Sequence, residues 1–146
     1  MKAAKIYLRK GKYFISPLLG SGGGDPCLFS PPVLMLNSDV APEQLGAAVQ
    51  EALGASHLHA PWPTNWKDLI KPLLSAAGVK DWPTFVKGTL SVRADAQDGK
   101  VTLSPSTSKK EKNAFSPIDE SLSVRADNED AKALGEGVQL AISRSD

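Results

Sequence analysis

Two turn signals in the chain are each flanked by short apolar runs that are typical of β-strands. Asp98-Gly99 is a strong hairpin signal, and Lys10-Gly11-Lys12 is a weaker one. The flanking runs are Ile6 to Leu8 and Tyr13 to Ser16 around the earlier turn, and Leu90 to Val92 and Val101 to Ser104 around the later one. The pattern therefore predicts two β-hairpins, one near each end of the chain.

Two other stretches repeat apolar residues at the spacing of an amphipathic helix. The first stripe, which follows Pro42 and precedes Gly54, is Leu45, Ala48, Val49, Ala52 and Leu53. The second stripe, for which Asp127 or Asn128 is the expected cap, is Ala131, Leu134, Val138, Ala141 and Ile142. Each stripe predicts a helix that packs on a sheet through one face.

The segment between the two hairpin regions predicts a helical connector. Helical spacing begins at Trp66, and Pro72 is expected to kink or end the helix near Lys71. A shorter helix capped by Asp81 is expected to carry Trp82 and Phe85 into the core.

The predicted elements repeat. Each half contains two strands, a Ser-Pro pair, a polar loop, a Phe-Ser-Pro motif, a third strand and a helix that contains Leu-Gly. We therefore predict an α/β (α+β) protein whose residues 1–146 form a single domain. Two related ββ-loop-βα halves, about 1–56 and 88–145, would form a mostly antiparallel sheet with packed helices, joined by a connector over 57–87.

Composition narrows the function classes. The 146 residues carry 17 Lys and Arg against 16 Asp and Glu, so no global field favours nucleic acid or an anionic membrane. Cys27 is the single cysteine, which excludes an intrachain disulfide framework. No apolar run reaches the length of a membrane span or signal peptide, so we expect a cytoplasmic protein.

Candidate catalytic and metal-binding residues are few. The glycine-rich segment from Gly20 to Asp25 lacks the Gly-Lys-Ser/Thr and following helix of a phosphate-binding loop. Cys27 with His57 or His59 is the only combination that would supply a cysteine nucleophile, and His57 with His59 offers two metal ligands without a third. We therefore expect no metal and no cofactor.

Carboxylates are concentrated late in the chain. Residues that could dock a basic partner are Asp95, Asp98, Asp119, Glu120 and Glu129, although helix capping also accounts for acidic residues near the last helix. Trp62 lies between Pro61 and Pro63 and is a candidate anchor at a protein interface.

The architecture resembles the immunity proteins of bacterial contact-dependent growth inhibition (CDI) systems. The resemblance begins with the stretch from Trp66 to Gly88 and continues through the hairpin, the Phe-Ser-Pro motif and the closing Leu-Gly helix. It implies a cytoplasmic protein that binds and neutralises the C-terminal toxin domain, often a nuclease, of a cognate effector by occluding its active site.

The expected function is therefore toxin inhibition by protein binding, without catalysis and without nucleic acid or membrane as partner. Two alternatives remain open. One is a structural or adaptor domain that binds another protein through its repeated halves. The other is a small hydrolase that uses Cys27 as its nucleophile.

Overall fold

The structure, a computed structural model, describes residues 2–20, 28–30, 32–56 and 66–146. Its strands are β1 (Lys2–Arg9), β2 (Lys12–Leu19), β3 (Leu28–Phe29), β4 (Leu34–Asn37), β5 (Thr89–Gln97), β6 (Lys100–Thr107), β7 (Ser116–Pro117) and β8 (Val124–Asp127). Its helices are α1 (Pro42–Ala55), α2 (Trp66–Ala77), α3 (Trp82–Val86) and α4 (Ala131–Ser143), and a 3-10 turn spans Glu120–Leu122.

The strands form an antiparallel sheet with the order β3-β2-β1-β5-β6-β7. β4 also pairs with β2, and β8 also pairs with β6. In the N-terminal half β3 and β4 therefore both pair with β2, and in the C-terminal half β7 and β8 both pair with β6. This arrangement confirms the predicted α+β class and the mostly antiparallel sheet.

Both predicted hairpins are present, and their turns have the same backbone conformation. Lys10 and Gly11 have φ of 48° and 77°, and Asp98 and Gly99 have φ of 54° and 79°. Positive φ at both central residues is the signature of the type I′ turn, whose twist matches that of the flanking strands. The Lys10-Gly11 turn therefore closes its hairpin with the same backbone geometry as the more readily recognised Asp98-Gly99 turn.

The two hairpins are joined by the antiparallel pairing of β1 with β5. Ile6 lies opposite Val92, and the neighbouring pair is Lys5 opposite Arg93. Lys5 and Arg93 also hold equivalent positions in the two halves, each at the same distance before its turn glycine. The pseudo-two-fold axis that relates the halves therefore passes between these two residues.

One face of the sheet is covered by α1 and α4, and we call it the helix face. Its buried core includes Ile6 and Val92 from the central strands, Leu45 from α1, and Leu134 from α4. The predicted apolar stripes supply most of the helical contribution. The two helices pack against each other as well as against the sheet, so the pseudo-two-fold axis also runs between them.

Two equivalent glycines allow the close approach of α1 and α4. A Cβ atom at Gly46 would lie 1.8 Å from the carbonyl oxygen of Ala131, and one at Gly135 would lie 1.9 Å from that of Pro42. Ala131 and Pro42 are the first residues of the two helices. Each glycine therefore faces the first turn of the other helix, which explains the repeated Leu-Gly pair.

The opposite face, which we call the outer face, carries an aromatic cluster where α2 and α3 cover it. Tyr7, Phe14 and Phe85 are buried there, and the Trp82 and Phe85 rings stack with their centroids 5.4 Å apart. The placement of Trp82 and Phe85 in a core follows the sequence prediction. The Arg9 guanidinium attaches the C-terminal end of α3 to the sheet, because it donates to the carbonyl oxygens of Phe85 and Lys87.

One local prediction was wrong, and one of the two alternatives expected at Pro72, a kink or an end of the helix, is excluded. The N-cap of α4 is Asp130, whose carboxylate accepts from the backbone N–H of Ala133 at 3.0 Å, whereas Asp127 accepts from Glu129 in the preceding turn. In the connector, α2 does not end near Lys71 but continues through Pro72 to Ala77. Leu73 and Leu74 of its last turns are buried against the sheet, and this burial outweighs the lost backbone hydrogen bond.

We predict that Gly46→Ala and Gly135→Ala each lower the free energy of unfolding by about 3 kcal/mol, because the added Cβ must push the two helices apart. Urea denaturation measures the effect. The matched control is Gly54→Ala in the same helix as Gly46, where a Cβ would meet nothing within 4 Å. That variant should be stabilised by roughly 0.5–1 kcal/mol, and equal effects at all three sites would contradict the close helix contact.

Candidate functional site

The predicted acidic docking residues are distributed over three places. Asp98 lies in the turn between β5 and β6, and Glu129 lies in the turn before α4. The backbone N–H of Asn128 donates to the carbonyl oxygen of Gly99 at 2.9 Å, which brings these two turns together. Asp98 and Glu129 are both exposed there.

Asp119 and Glu120 lie at the other end of β8, in the 3-10 turn that precedes this strand. The four residues of β8 span roughly 13 Å, so this pair is separate from Asp98 and Glu129. The Asp119 carboxylate accepts from the backbone N–H of Ser121 at 2.9 Å, and this hydrogen bond lowers its pKa. Asp119 therefore has a local structural role.

Asp95 lies on the outer face of the sheet, away from both turns. Its carboxylate forms an ion pair with Arg93 at 3.0 Å, and both side chains are 26% exposed. The structure thus does not bring the five acidic candidates into one patch. Trp62, Cys27, His57 and His59 lie outside the described residues, so the anchor and hydrolase hypotheses stay predictions.

The outer face differs sharply between the two halves. Positions occupied by Tyr7 in β1 and Phe14 in β2 are occupied by Asp95 in β5 and Thr102 in β6 in the equivalent strands. The aromatic cluster under α2 and α3 therefore has no counterpart on β5 and β6. Their outward-facing side chains are polar, and they include Ser91, Arg93, Asp95, Thr102 and Ser104.

A cavity of about 390 Å³ lies where the aromatic and polar parts of the outer face meet. Its lining includes Lys5, Arg93, Ser104 and Phe115, with Pro105 and Pro117 at its apolar side. The Lys5 ammonium lies 5.9 Å from the centre of the Phe115 ring. It also donates to the Ser91 hydroxyl at 3.3 Å. The cavity thus combines cations, hydroxyl groups and an aromatic surface.

Electrostatics at this cavity are unfavourable for the folded protein. Lys5 and Arg93 are directly opposite each other in the β1–β5 pairing, where like charges destabilise a sheet. The pKa of Lys5 is lowered from 10.5 to about 8, mainly by burial and also by the Arg93 charge, while Asp95 opposes both effects. One carboxylate faces two cations, which leaves this group with a net positive charge at neutral pH.

A second, larger depression of about 480 Å³ lies beside β4. Met35 is 44% exposed at its wall, and the charged residues Lys12 and Asp39 at its rim are exposed to solvent. It is an open surface groove without a buried charge, so the cavity at Lys5 is the stronger candidate site.

Lys5 and Arg93 are not among the candidate residues that the sequence suggested. The sequence does contain a pattern that points to their exposure on one sheet face, because a charged residue adjoins an apolar one in Lys5-Ile6 and in Val92-Arg93. Alternation predicts that both side chains face away from the helices. It does not predict that two strands so far apart in the chain pair with these residues opposite each other.

Among the described residues, no group of three His, Cys, Asp or Glu side chains is arranged to hold a metal ion. No helix in this part of the chain is long and apolar enough to cross a membrane. The cavity offers charge and hydrogen-bond donors on a rigid sheet, which are features of a binding site.

These features describe a small α+β protein with a charged cavity on one sheet face. The chain belongs to the CDI immunity protein family, CdiI, whose family model matches residues 2–145. A comparison with curated proteins finds no match.

Solved structures show the same fold. A protein of unknown function from Neisseria meningitidis is 22% identical, with a TM-score of 0.79 over 99% of this chain and 95% of that one. A chain of a CdiA-CT/CdiI toxin and immunity complex from Yersinia pseudotuberculosis is 16% identical, with a TM-score of 0.80 over 99% and 97%.

We predict that Lys5→Met raises the free energy of unfolding at neutral pH by about 1–2 kcal/mol, because it removes a buried cation that faces Arg93. Chemical denaturation measures this gain. Above about pH 8 the folded wild-type protein loses the Lys5 proton, whereas lysine in the unfolded chain keeps its proton up to a pKa of 10.5. The stability of the wild-type protein therefore rises with pH in this range. The advantage of Lys5→Met over the wild-type protein should accordingly shrink toward about pH 9.5.

The matched control is Lys112→Met, which changes an exposed lysine in the loop between β6 and β7. This variant should show no gain in stability at neutral pH. A Lys5→Met gain that is the same at neutral and alkaline pH would contradict the assigned burial of the charge.

Proposed function

We propose that this protein binds the C-terminal toxin domain of a cognate CDI effector and neutralises it without catalysis, in the cytoplasm of the cell that makes it. The observation that carries the proposal is membership of the CDI immunity protein family, because the family model matches residues 2–145. The match spans the repeated halves and the connector, so the proposal concerns the whole fold.

Two further observations support the proposal. The fold is shared with a chain from a CdiA-CT/CdiI toxin and immunity complex of Yersinia pseudotuberculosis. The charged cavity on the outer face also has the features of a binding surface. We propose that inhibition is steric, with the bound protein covering the active site or the substrate surface of the toxin domain.

The size of a typical protein interface indicates how much of the surface of this protein the toxin domain would cover. A stable complex of standard size buries about 800 Å² on each partner. The accessible surface of this chain is 7732 Å², so such an interface would cover roughly a tenth of it. One face of the sheet or one edge is therefore sufficient, and substitutions on different faces can locate the interface.

We predict a one-to-one complex between this protein and the C-terminal domain of the effector encoded immediately upstream of it. Size-exclusion chromatography of the purified mixture detects the complex. Cells that express the toxin domain should survive when they also express this protein. A toxin domain from an unrelated effector is the control, and absence of both the complex and the rescue would overturn the proposed function.

We propose that the exposed acidic residues of three turns, those at Asp98, Glu120 and Glu129, steer the toxin toward the protein. Carboxylates at the rim of an interface act mainly on the association rate. Asp98, Glu120 and Glu129 are exposed, and Asp95 contributes less because it is paired with Arg93. Trp62 is proposed as an apolar anchor of the same interface.

We predict that the combined change Asp98→Lys, Glu120→Lys and Glu129→Lys slows association with the toxin domain about tenfold at low salt and lessens its salt dependence. Stopped-flow or surface-based kinetics measure the rate. The turn tolerates lysine at 98, because Lys10 holds the equivalent position with the same left-handed backbone.

Asp119 is left unchanged in this variant because its carboxylate caps the 3-10 turn. The control variant changes Asp39, Glu51 and Glu111 to lysine, which alters the net charge equally at other exposed positions. Equal slowing by both variants would show that overall charge, and not the acidic residues of these three turns, governs association.

A further inference from the structure

The outer face carries a charge arrangement that folding does not explain. Lys5 and Arg93 are opposite each other at the centre of the sheet, and both face a cavity of about 390 Å³. Like charges in this arrangement lower the stability of a sheet. A costly charge pair that is held on rigid strands is typical of a site whose partner is an anion.

Among the described contacts at the cavity, Lys5 has no carboxylate as a hydrogen-bond partner. Arg93 pairs with Asp95 through its Nε atom, at 3.0 and 3.2 Å from the two carboxylate oxygens. Lys5 donates only to a neutral hydroxyl, that of Ser91, among the described contacts, and no carboxylate lies within ion-pair distance of it. Desolvation accordingly lowers the Lys5 pKa, as expected for an ammonium without a close anion.

The surroundings of the two cations restrict which anion fits. Phe115 packs beside Lys5, and Pro105 and Pro117 complete an apolar side of the cavity. Ser104, opposite Arg93 on β6, adds a hydroxyl. The described lining residues lie on β1, β5, β6 and β7 or directly before β7, and none of them belongs to a helix N-terminus. A carboxylate on a short aliphatic stem matches both the charge and the apolar side.

We infer that the cavity between Lys5, Arg93 and Phe115 receives an aspartate or glutamate side chain of the toxin domain and is the central charged contact of the complex. This inference rests on the proposed function and adds the location and the chemistry of the contact. The incoming carboxylate balances the net positive charge of the group formed by Lys5, Arg93 and Asp95. Binding therefore relieves a repulsion that the free protein carries.

The test is the affinity of the toxin domain encoded immediately upstream for two charge-reversal variants. Lys5→Glu turns the cavity from net positive to net negative, and the new glutamate lies opposite Arg93, so the like-charge pair becomes a favourable cross-strand pair. The matched control is Lys132→Glu on α4, an exposed position on the helix side of the sheet with the same change in net charge. Thermal unfolding verifies that both variants are folded.

We expect Lys5→Glu to weaken binding at least thirtyfold, because removing one member of a desolvated charge pair is costly. Lys132→Glu should change it less than about threefold. A set of toxin variants, each with one Asp or Glu changed to Lys, should include one that restores binding to Lys5→Glu while losing binding to the wild-type protein.

The outcomes separate this inference from the proposed function. If the wild-type protein binds and rescues while Lys5→Glu binds equally well, the cavity is not the contact and the proposed function stands. If both variants lose affinity equally, binding depends on overall charge and the inference fails. If the wild-type protein neither binds nor rescues, the proposed function fails and the inference falls with it.

Discussion

The pairing of β1 with β5 is the interaction on which the rest of the structure depends. Its register runs from Lys2 opposite Ala96 to Arg9 opposite Thr89, and it joins two hairpins that are distant in sequence. A slip of one residue would exchange the two faces of the sheet. The same register sends Ile6 and Val92 into the core beneath the helices and sends Lys5 and Arg93 to the outer face.

The two halves repeat one scaffold but use its outer face differently. On the N-terminal side Tyr7 and Phe14 are buried under α2 and α3, whereas the equivalent positions on the C-terminal side are Asp95 and Thr102. The helix face keeps its symmetry because Gly46 and Gly135 make the same contact in both directions. Buried apolar contacts are thus concentrated in the helix face and the aromatic cluster, whereas the part of the outer face on β5 and β6 is polar.

Relatives with this fold share few of its side chains. The Neisseria and Yersinia structures are 22% and 16% identical to this chain, yet their TM-scores are 0.79 and 0.80. A backbone that persists through such divergence cannot by itself select a partner. Choice of partner must then depend on surface side chains, which on the outer face of the described part of the chain include Lys5 and Arg93 opposite each other.

Sequence alone determined what local chemistry controls: the hairpin turns, the apolar stripes of α1 and α4, and the repeat that predicted an α+β sheet. It failed at the cap of α4 and left open whether Pro72 kinks or ends its helix, because burial and turn geometry compete with local preference at these places. The position of the acidic residues and the meeting of Lys5 with Arg93 were decided only by the tertiary structure. Strand register between distant segments sets both, and no local signal encodes it.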